Sequence, residues 1–92
     1  MVEQHLVVRN RLGLHARAAA RLVRTASNYR SVVRLERVDG SASADAKSIL
    51  SVLMLAATCG TELRVIADGS DEREALDAVC AMINDGFGEE GV

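Results

Sequence analysis

The spacing of apolar residues changes repeatedly along this chain, and this change limits its fold more than any other feature. Four short stretches alternate apolar and polar residues, and three others repeat apolar residues every three or four positions. Alternation is typical of a strand with one buried face, whereas the longer spacing is typical of an amphipathic helix. In chain order the segments predict a βαββαβα fold of the α+β class, with the helices covering one face of the sheet.

The strongest turn signal lies between the second and third predicted strands. Asp39-Gly40 favours a tight hairpin turn, so the segment 41–44 is expected to fold back beside the strand at 31–38. The first and last strands are expected at 2–9 and 61–68. The apolar residues of the second and fourth strands that are expected to face the core are Val33, Leu35, Leu63, Val65 and Ala67.

The three helices are predicted at 16–28, 46–57 and 71–85. The first is expected to bury Ala19, Ala20, Val23 and Ala26, while Arg17, Arg21 and Arg24 form a separate basic stripe at i, i+4 and i+7. The second is expected to be capped by Asp45 and to be followed by Cys59-Gly60. Its apolar residues lie on nearly all sides, which is more than a single sheet-facing stripe requires.

Length and composition exclude several classes of protein. With 92 residues and no change of composition along the chain, residues 1–88 are expected to form a single domain, followed by a loose tail at 89–92. A net charge of −2 and the absence of Trp disfavour a nucleic-acid-binding protein. No apolar run approaches the roughly 20 residues that cross a bilayer. No signal peptide is recognisable, so we expect a cytoplasmic protein without membrane insertion.

The residues with the clearest chemistry are Gly13-Leu14-His15-Ala16-Arg17, where the first strand gives way to the first helix. The first N–H groups of a helix lack partners within it, and with the positive end of the helix dipole they form an anion site. A neutral imidazole near pH 7 is a suitable phosphoryl acceptor. Arg17 would stabilise the charge of that group. We therefore predict that His15 carries phosphate covalently, on Nδ1.

Other chemistries find less support in the sequence. A metal site built from His5, His15 and the cysteines has no recognised spacing. The two distant cysteines, Cys59 and Cys80, are expected to be reduced and buried. No Ser-His-Asp arrangement and no phosphate-binding glycine loop is suggested, so neither hydrolysis nor nucleotide binding is expected. We predict no metal, no cofactor, and a stoichiometric carrier that is not a turnover enzyme acting on a small molecule.

Two separated segments carry a resemblance to a known family. Gly13-Leu14-His15-Ala16-Arg17 and Asp45-Ala46-Lys47-Ser48-Ile49-Leu50 closely resemble the two signatures of HPr, the histidine-containing phosphocarrier of the bacterial phosphoenolpyruvate-dependent phosphotransferase system. The resemblance covers essentially the whole chain. It implies an HPr-like open-faced β-sandwich, in which a four-stranded antiparallel sheet of order 1-4-2-3 lies under three helices.

The resemblance also implies roles for individual residues. His15 would take a phosphoryl group from phosphorylated enzyme I, forming a pros-phosphohistidine, and pass it to a histidine of an enzyme IIA component in sugar transport. Arg17 would neutralise the phosphate. We expect a monomer, because a carrier that serves two partners must keep its docking face free. The residues of the implied docking surface are Ala16, Arg21, Arg24, Lys47, Ile49, Leu50 and Leu53. The alternative is that Leu50 and Leu53 belong to the core.

Some points stay open at this stage. Ala18 stands where family members often have proline, which bears on the rigidity of the helix start and not on the chemistry. Ser48 matches a position that an HPr kinase/phosphorylase phosphorylates for regulation in many members. Two rival functions remain: a carrier of a regulatory, nitrogen-related branch, which the ending 83–90 resembles, and a non-covalent regulatory binding module on the same fold.

Overall fold

The sheet of the computed structural model has four strands, β1 (Val2–Val7), β2 (Val32–Arg37), β3 (Ser43–Asp45) and β4 (Glu62–Asp68). The structure describes residues 1–89. The strand order is β1-β4-β2-β3, and every neighbouring pair is antiparallel. The predicted α+β class and the order implied by the resemblance are therefore confirmed.

Alternation in the strands places aliphatic residues on one face of the sheet. Leu35 lies opposite Val65 in the β2–β4 pair, and Leu6 lies opposite Leu63 in the β1–β4 pair. All four side chains are buried, as is Val33. The inward residues predicted for β2 and β4 are confirmed, because a strand with one solvated face must point alternate side chains into the core.

Three helices, α1 (Ala16–Ala26), α2 (Ile49–Met54) and α3 (Glu72–Asn84), lie over that face. Helix α3 packs against β1 and β4, and α1 packs against both other helices. The buried face of α1 consists of Ala18, Ala19, Leu22 and Ala26. The predicted stripe was therefore partly wrong, since Ala20 and Val23 are only half-buried and Leu22 had been left out.

The second helix is shorter than predicted, and both of its predicted ends were wrong. Asp45 does not cap it, because Asp45 is the last residue of β3 and pairs with Arg34. The cap is Ser48, whose Oγ accepts a hydrogen bond from the Ser51 N–H at 3.3 Å. At the other end Ala56 adopts a left-handed conformation with φ of 53°, which stops the helix well before Cys59-Gly60.

The predicted hairpin exists, although its second strand begins later than expected. The Gly40 N–H donates to the Arg37 carbonyl at 2.9 Å, and Gly40 has a φ of +79°. The Asp39 carboxylate accepts hydrogen bonds from the N–H and hydroxyl of Ser41. These contacts extend the connection through residue 42, so that β3 is Ser43–Asp45 and not 41–44.

The chain turns back after α3 through a short 3-10 helix, Gly86–Gly88. Phe87, the middle residue of this turn, is buried and packs at the end of α3. Glu89, the first residue of the predicted loose tail, forms side-chain contacts with His15, just before α1, and with Asn10 in the preceding loop. Residues 90–92 lie outside the described part of the chain.

Candidate functional site

A tight loop before α1 fixes the position of His15. The Gly13 N–H donates to the Asn10 carbonyl at 3.1 Å, and Asn10 Nδ2 donates back to the Gly13 carbonyl at 2.6 Å. The next residue is tied to the end of the α2 segment, because the Leu14 N–H donates to the Ala57 carbonyl at 2.9 Å. Asn10 and Leu14 are both buried, so the loop that carries His15 is anchored on two sides.

His15 is the N-cap residue of α1. Its backbone is extended, with φ of −82° and ψ of −179°, and its carbonyl accepts the Ala19 N–H at 2.8 Å. The N–H groups of residues 16–18 have no hydrogen-bond acceptor among residues 1–89. These free donors, together with the helix dipole, create a site of positive potential directly beside the imidazole. The predicted anion site at the start of α1 is therefore structurally available.

The two nitrogens of the imidazole have different surroundings. His15 Nε2 contacts Glu89 Oε2, whereas Nδ1 makes no hydrogen bond to any residue within the described range. The other carboxylate oxygen, Glu89 Oε1, accepts from Asn10 Nδ2 at 2.9 Å. The Asn10 hydrogen bond is the main cause that holds the pKa of Glu89 below its usual range, and the contact with His15 adds to it. Glu89 is thus a carboxylate at neutral pH.

Arginine side chains surround this pair. An open groove of about 940 Å³ runs beside the ring, and its lining residues include Arg11, Leu12, His15, Ala16, Arg17, Arg21, Gly88 and Glu89. Arg17 is exposed and forms no ion pair or side-chain hydrogen bond within residues 1–89. Its guanidinium is therefore free to meet an incoming anion.

The basic side chains predicted for the docking surface differ in their contacts. Arg21 donates from its guanidinium to the Phe87 carbonyl, so this side chain holds the C-terminal turn against α1. Arg24, one turn further along the helix, is exposed. Lys47 is likewise engaged, since its Nζ donates to the Tyr29 carbonyl at 2.8 Å. Of these three cations, Arg24 is the one that forms no side-chain hydrogen bond or ion pair with the described residues.

Helix α2 presents apolar side chains to solvent. Ile49 is 45% exposed, Leu50 68% and Leu53 36%, so the alternative that Leu50 and Leu53 belong to the core is wrong. Met54 and Leu12 are also exposed, at 72% and 67%, although sequence reasoning did not single them out. Large exposed aliphatic side chains grouped on one short helix are typical of a surface that a partner covers.

Ser48 lies at the junction between β3 and α2. Its hydroxyl is partly buried and accepts the Ser51 N–H, which makes it the cap of α2 and not a residue of its first turn. The neighbouring residues Ile49 and Leu50 are both exposed. A negatively charged group on Ser48 would therefore stand next to the exposed apolar side chains.

The two cysteines differ in burial, and the described residues contain no candidate metal-binding cluster. Cys80 is buried, and burial raises the pKa of its thiol to about 11, so it is inert at neutral pH. Cys59 is exposed, so the prediction of two buried cysteines was wrong for this one. Within residues 1–89 no group of three or more His, Cys, Asp or Glu side chains could hold a metal ion. In the same range no helix combines the length and apolar character needed to cross a membrane.

Glu89 and Asn10 are the site residues that sequence reasoning missed. Glu89 is 74 positions from His15, and no local pattern marks it as a partner of the imidazole. The available signal was Phe87, an aromatic residue directly after the third predicted helix, because burying it turns the chain back and carries the residues that follow towards α1. Asn10 lies in the polar segment before Gly13. Asparagine is common in such loops, so its presence there did not indicate a role at the site.

Comparison with known proteins gives consistent matches over nearly the whole chain. A family model described as the PTS HPr component phosphorylation site matches residues 2–85. The phosphocarrier protein HPr of Cupriavidus necator is 45% identical over 89 residues, covering 97% of this chain and 98% of that protein. The phosphocarrier protein NPr of Proteus mirabilis is 37% identical over 87 residues, covering 95% of this chain and 96% of that protein. The crystal structure of HPr from Thermoanaerobacter tengcongensis superimposes with a TM-score of 0.90 at 38% identity, covering 98% of this chain and 99% of that one.

Proposed function

The chain belongs to the HPr family of phosphocarrier proteins of the phosphotransferase system, and we propose that His15 is the residue that carries the phosphoryl group. In this proposal His15 receives the group from phosphorylated enzyme I and passes it to a histidine of an enzyme IIA component. The observation that supports it most is that Nδ1 and the three N–H groups at the start of α1 lie side by side and have no hydrogen-bond partner within residues 1–89. A nucleophile and an anion site are thereby adjacent.

The transfer would proceed through these groups as follows. The Nδ1 lone pair forms a bond to phosphorus, the bond between phosphorus and the donor histidine breaks, and the donor ring keeps that electron pair. The phosphoryl group passes through a loose, metaphosphate-like state whose negative charge needs nearby donors. The N–H groups of residues 16–18 and the Arg17 guanidinium would supply them. The same geometry serves the return step, in which an acceptor histidine attacks the phosphorus.

Docking of both partners would use one surface. The residues proposed for it are Ala16, Arg21, Arg24, Lys47, Ile49, Leu50 and Leu53, with the exposed Leu12 and Met54 added to them. Exposure of the aliphatic members supports this role. The Arg24 guanidinium, which forms no ion pair within residues 1–89, favours an acidic partner face. Since one surface must serve donor and acceptor in turn, the complexes should form fast and dissociate fast.

Regulation through Ser48 is a further part of the proposal. A phosphate on its Oγ would place about two negative charges beside Ile49 and Leu50. It would repel an acidic partner and disturb the apolar contact with it. Replacement by Ser48→Asp is therefore expected to slow phosphoryl acceptance, while Ser41→Asp, an equal change in the loop between β2 and β3, should leave it unchanged. Equal rates for both variants would remove Ser48 from the proposal.

The carrier role is tested by intact-mass analysis after incubation with phosphoenolpyruvate and enzyme I of the same organism. Wild type should gain one acid-labile phosphoryl group, and His15→Ala should gain none. His5→Ala is the matched control, because His5 is the other histidine of the chain and lies exposed on β1. No transfer to wild type, or transfer that persists in His15→Ala, would overturn the proposal.

The similarity to NPr favours a second candidate, a carrier in the nitrogen-related regulatory branch. The same residues would carry the phosphate, but the partners would differ. Rates of acceptance from the sugar-branch enzyme I and from its nitrogen-branch counterpart distinguish the two, since the true donor should transfer much faster. A non-covalent binding module would show transfer from neither.

A further inference from the structure

A carboxylate bridges the reactive histidine and a buried amide. Glu89 Oε2 contacts His15 Nε2, and Glu89 Oε1 accepts from Asn10 Nδ2 at 2.9 Å. The side chains of His15 and Glu89 are 27% and 15% exposed, so the contact is largely shielded from water. Such a contact between residues 74 positions apart requires the chain to bring the C-terminal segment to the start of α1.

The bridge is held from both of its ends. Asn10 has no exposed surface, and its Nδ2 is shared between Glu89 and the Gly13 carbonyl, which fixes the orientation of the amide. On the other side Phe87 is buried and its carbonyl accepts from Arg21. Glu89 follows Phe87 by two residues. The carboxylate is thus held in place by the fold itself, independently of any partner.

The chemistry of a carboxylate decides which imidazole nitrogen carries the proton. An ionised carboxylate has acceptors only, so the nitrogen that contacts it must donate. His15 Nε2 is therefore the N–H nitrogen, and the lone pair of the neutral ring lies on Nδ1. We propose that Glu89 is a positioning residue for phosphoryl transfer: it keeps the proton on Nε2 and so directs the nucleophilic lone pair to Nδ1. This inference rests on the proposed function of His15.

The same contact also compensates charge during the transfer. When the Nδ1 lone pair bonds to phosphorus and the donor histidine leaves with its electron pair, the His15 ring keeps its Nε2 proton and becomes positively charged. The Glu89 carboxylate stands next to that charge throughout. An Asp that holds the histidine of a Ser-His-Asp triad acts in the same two ways, on the tautomer and on the imidazolium.

The substitution Glu89→Gln separates positioning from simple packing. The amide has the size of the carboxylate, but one end accepts and the other donates. Asn10 Nδ2 still needs an acceptor, because its orientation is fixed by Gly13, so the amide oxygen should face Asn10. The amide NH₂ then faces His15 Nε2 and donates to it, which moves the ring proton to Nδ1. Glu89→Ala lacks this effect and leaves the ring free in water.

The first measurement is the ¹⁵N spectrum of the His15 ring at a pH where the imidazole is neutral, recorded on the full chain. Protonated and unprotonated ring nitrogens have well-separated shifts, so the spectrum identifies the tautomer. We expect Nε2–H in wild type and Nδ1–H in Glu89→Gln. A wild-type ring protonated on Nδ1, or the same tautomer in both proteins, would overturn the inference whatever the kinetics show.

The second measurement is the rate of phosphoryl acceptance from enzyme I. We expect Glu89→Gln to be about 100-fold slower than wild type, less than the ~10⁴-fold effect of the equivalent change in a Ser-His-Asp triad, because a side chain 27% exposed can turn its ring over. The rate of Glu89→Ala should lie between the rates of wild type and Glu89→Gln. Loss of packing alone would instead make Glu89→Ala the slowest, because it removes most of the side chain. Glu74→Gln, the same change at an exposed position of α3, is the control and should match wild type.

The outcomes distinguish the two proposals. If wild type accepts phosphate and both Glu89 variants match it, the positioning role fails and the carrier role stands. If wild type accepts none from its own enzyme I, the carrier role fails, and the role of Glu89 in transfer fails with it. Thermal unfolding of each variant identifies any loss of rate that comes from loss of fold.

Discussion

Gly13→Ala is the substitution for which the structure predicts the clearest effect. Gly13 has a φ of +66°, and a Cβ added to it would lie 2.5 Å from the Ala57 carbonyl oxygen and 2.8 Å from Thr58 Cα. Both neighbours are backbone atoms, so neither can rotate away. The substitution must therefore push the His15 loop away from the segment that follows α2.

The magnitude follows from two separate contributions. A left-handed conformation at an alanine costs about 1–2 kcal/mol relative to glycine. Separating the loops also weakens the hydrogen bond from the Leu14 N–H to the Ala57 carbonyl, worth about 1 kcal/mol. We expect the free energy of unfolding to fall by about 2–3 kcal/mol in total.

Gly40→Ala is the matched control for the steric part. Gly40 has a φ of +79°, and a Cβ there would meet nothing within 4 Å. Only the conformational cost of about 1–2 kcal/mol should remain. Urea unfolding of the three proteins, fitted with a common slope, measures the difference. If Gly13→Ala is no less stable than Gly40→Ala, the close approach of the two loops is absent and the reasoning fails.

The loop displacement should also reach His15. His15 follows Gly13 by two residues, and its N–H donates to the Gly13 carbonyl at 3.0 Å. A misplacement of about 1 Å in a reacting group can lower a rate by up to about 100-fold. Under conditions where the variant is folded, we expect Gly13→Ala to accept phosphate at least about tenfold more slowly than Gly40→Ala. Equal rates would mean that the ring position does not depend on this loop.

Three further outcomes are expected. The pKa of Asp71 is lowered from 3.8 to about 2, mainly by the hydrogen bond from the Ser31 hydroxyl and also by the N–H groups of Arg30 and Ser31. Asp71→Asn should therefore be less stable than wild type above pH 4, and this difference in stability should disappear as the pH falls from about 4 to 2. A stability difference that does not change with pH in urea unfolding would contradict this. Leu22→Ala, at a side chain with no exposed surface, should lower the free energy of unfolding by about 2–5 kcal/mol, and a loss below 1 kcal/mol would mean that this side chain is not in the core. Leu50→Ala should change the free energy of unfolding by less than about 0.5 kcal/mol, yet weaken binding to enzyme I about tenfold. Unchanged affinity in a calorimetric titration would exclude Leu50 from the docking surface.

The sequence by itself determined the parts of the fold that depend on local period. Val33, Leu35, Leu63 and Val65 were assigned to the core from alternation alone, and all are buried. The buried residues of α3 also follow the local period, because a long helix repeats its pattern often enough to define one face; they are Ala75, Leu76, Val79, Cys80 and Ile83. The location of His15 at the start of α1 was also predictable, since a glycine turn between a strand and a helix leaves the next residue as the cap.

Only the tertiary structure decided where α2 begins and ends. Asp45 is a good cap by residue type, but pairing of β3 with β2 takes this residue into the sheet. At the other end Arg37 donates to the carbonyls of Leu55 and Ala56, both at 3.2 Å, and the Ala57 carbonyl binds Leu14. The backbone groups that would continue the helix are thus bound to distant residues, and local propensity cannot report such competition.

The surroundings of the imidazole were decided in the same way. Sequence reasoning predicted roles for His15 and Arg17 from their place at a helix start, where the free N–H groups are a local property of the backbone. It could not identify Glu89, because a contact across 74 residues leaves no period and no spacing in the sequence. The donors at the start of α1 are therefore a property of the local sequence, whereas the fold decides which imidazole nitrogen contacts Glu89 and which makes no hydrogen bond within residues 1–89.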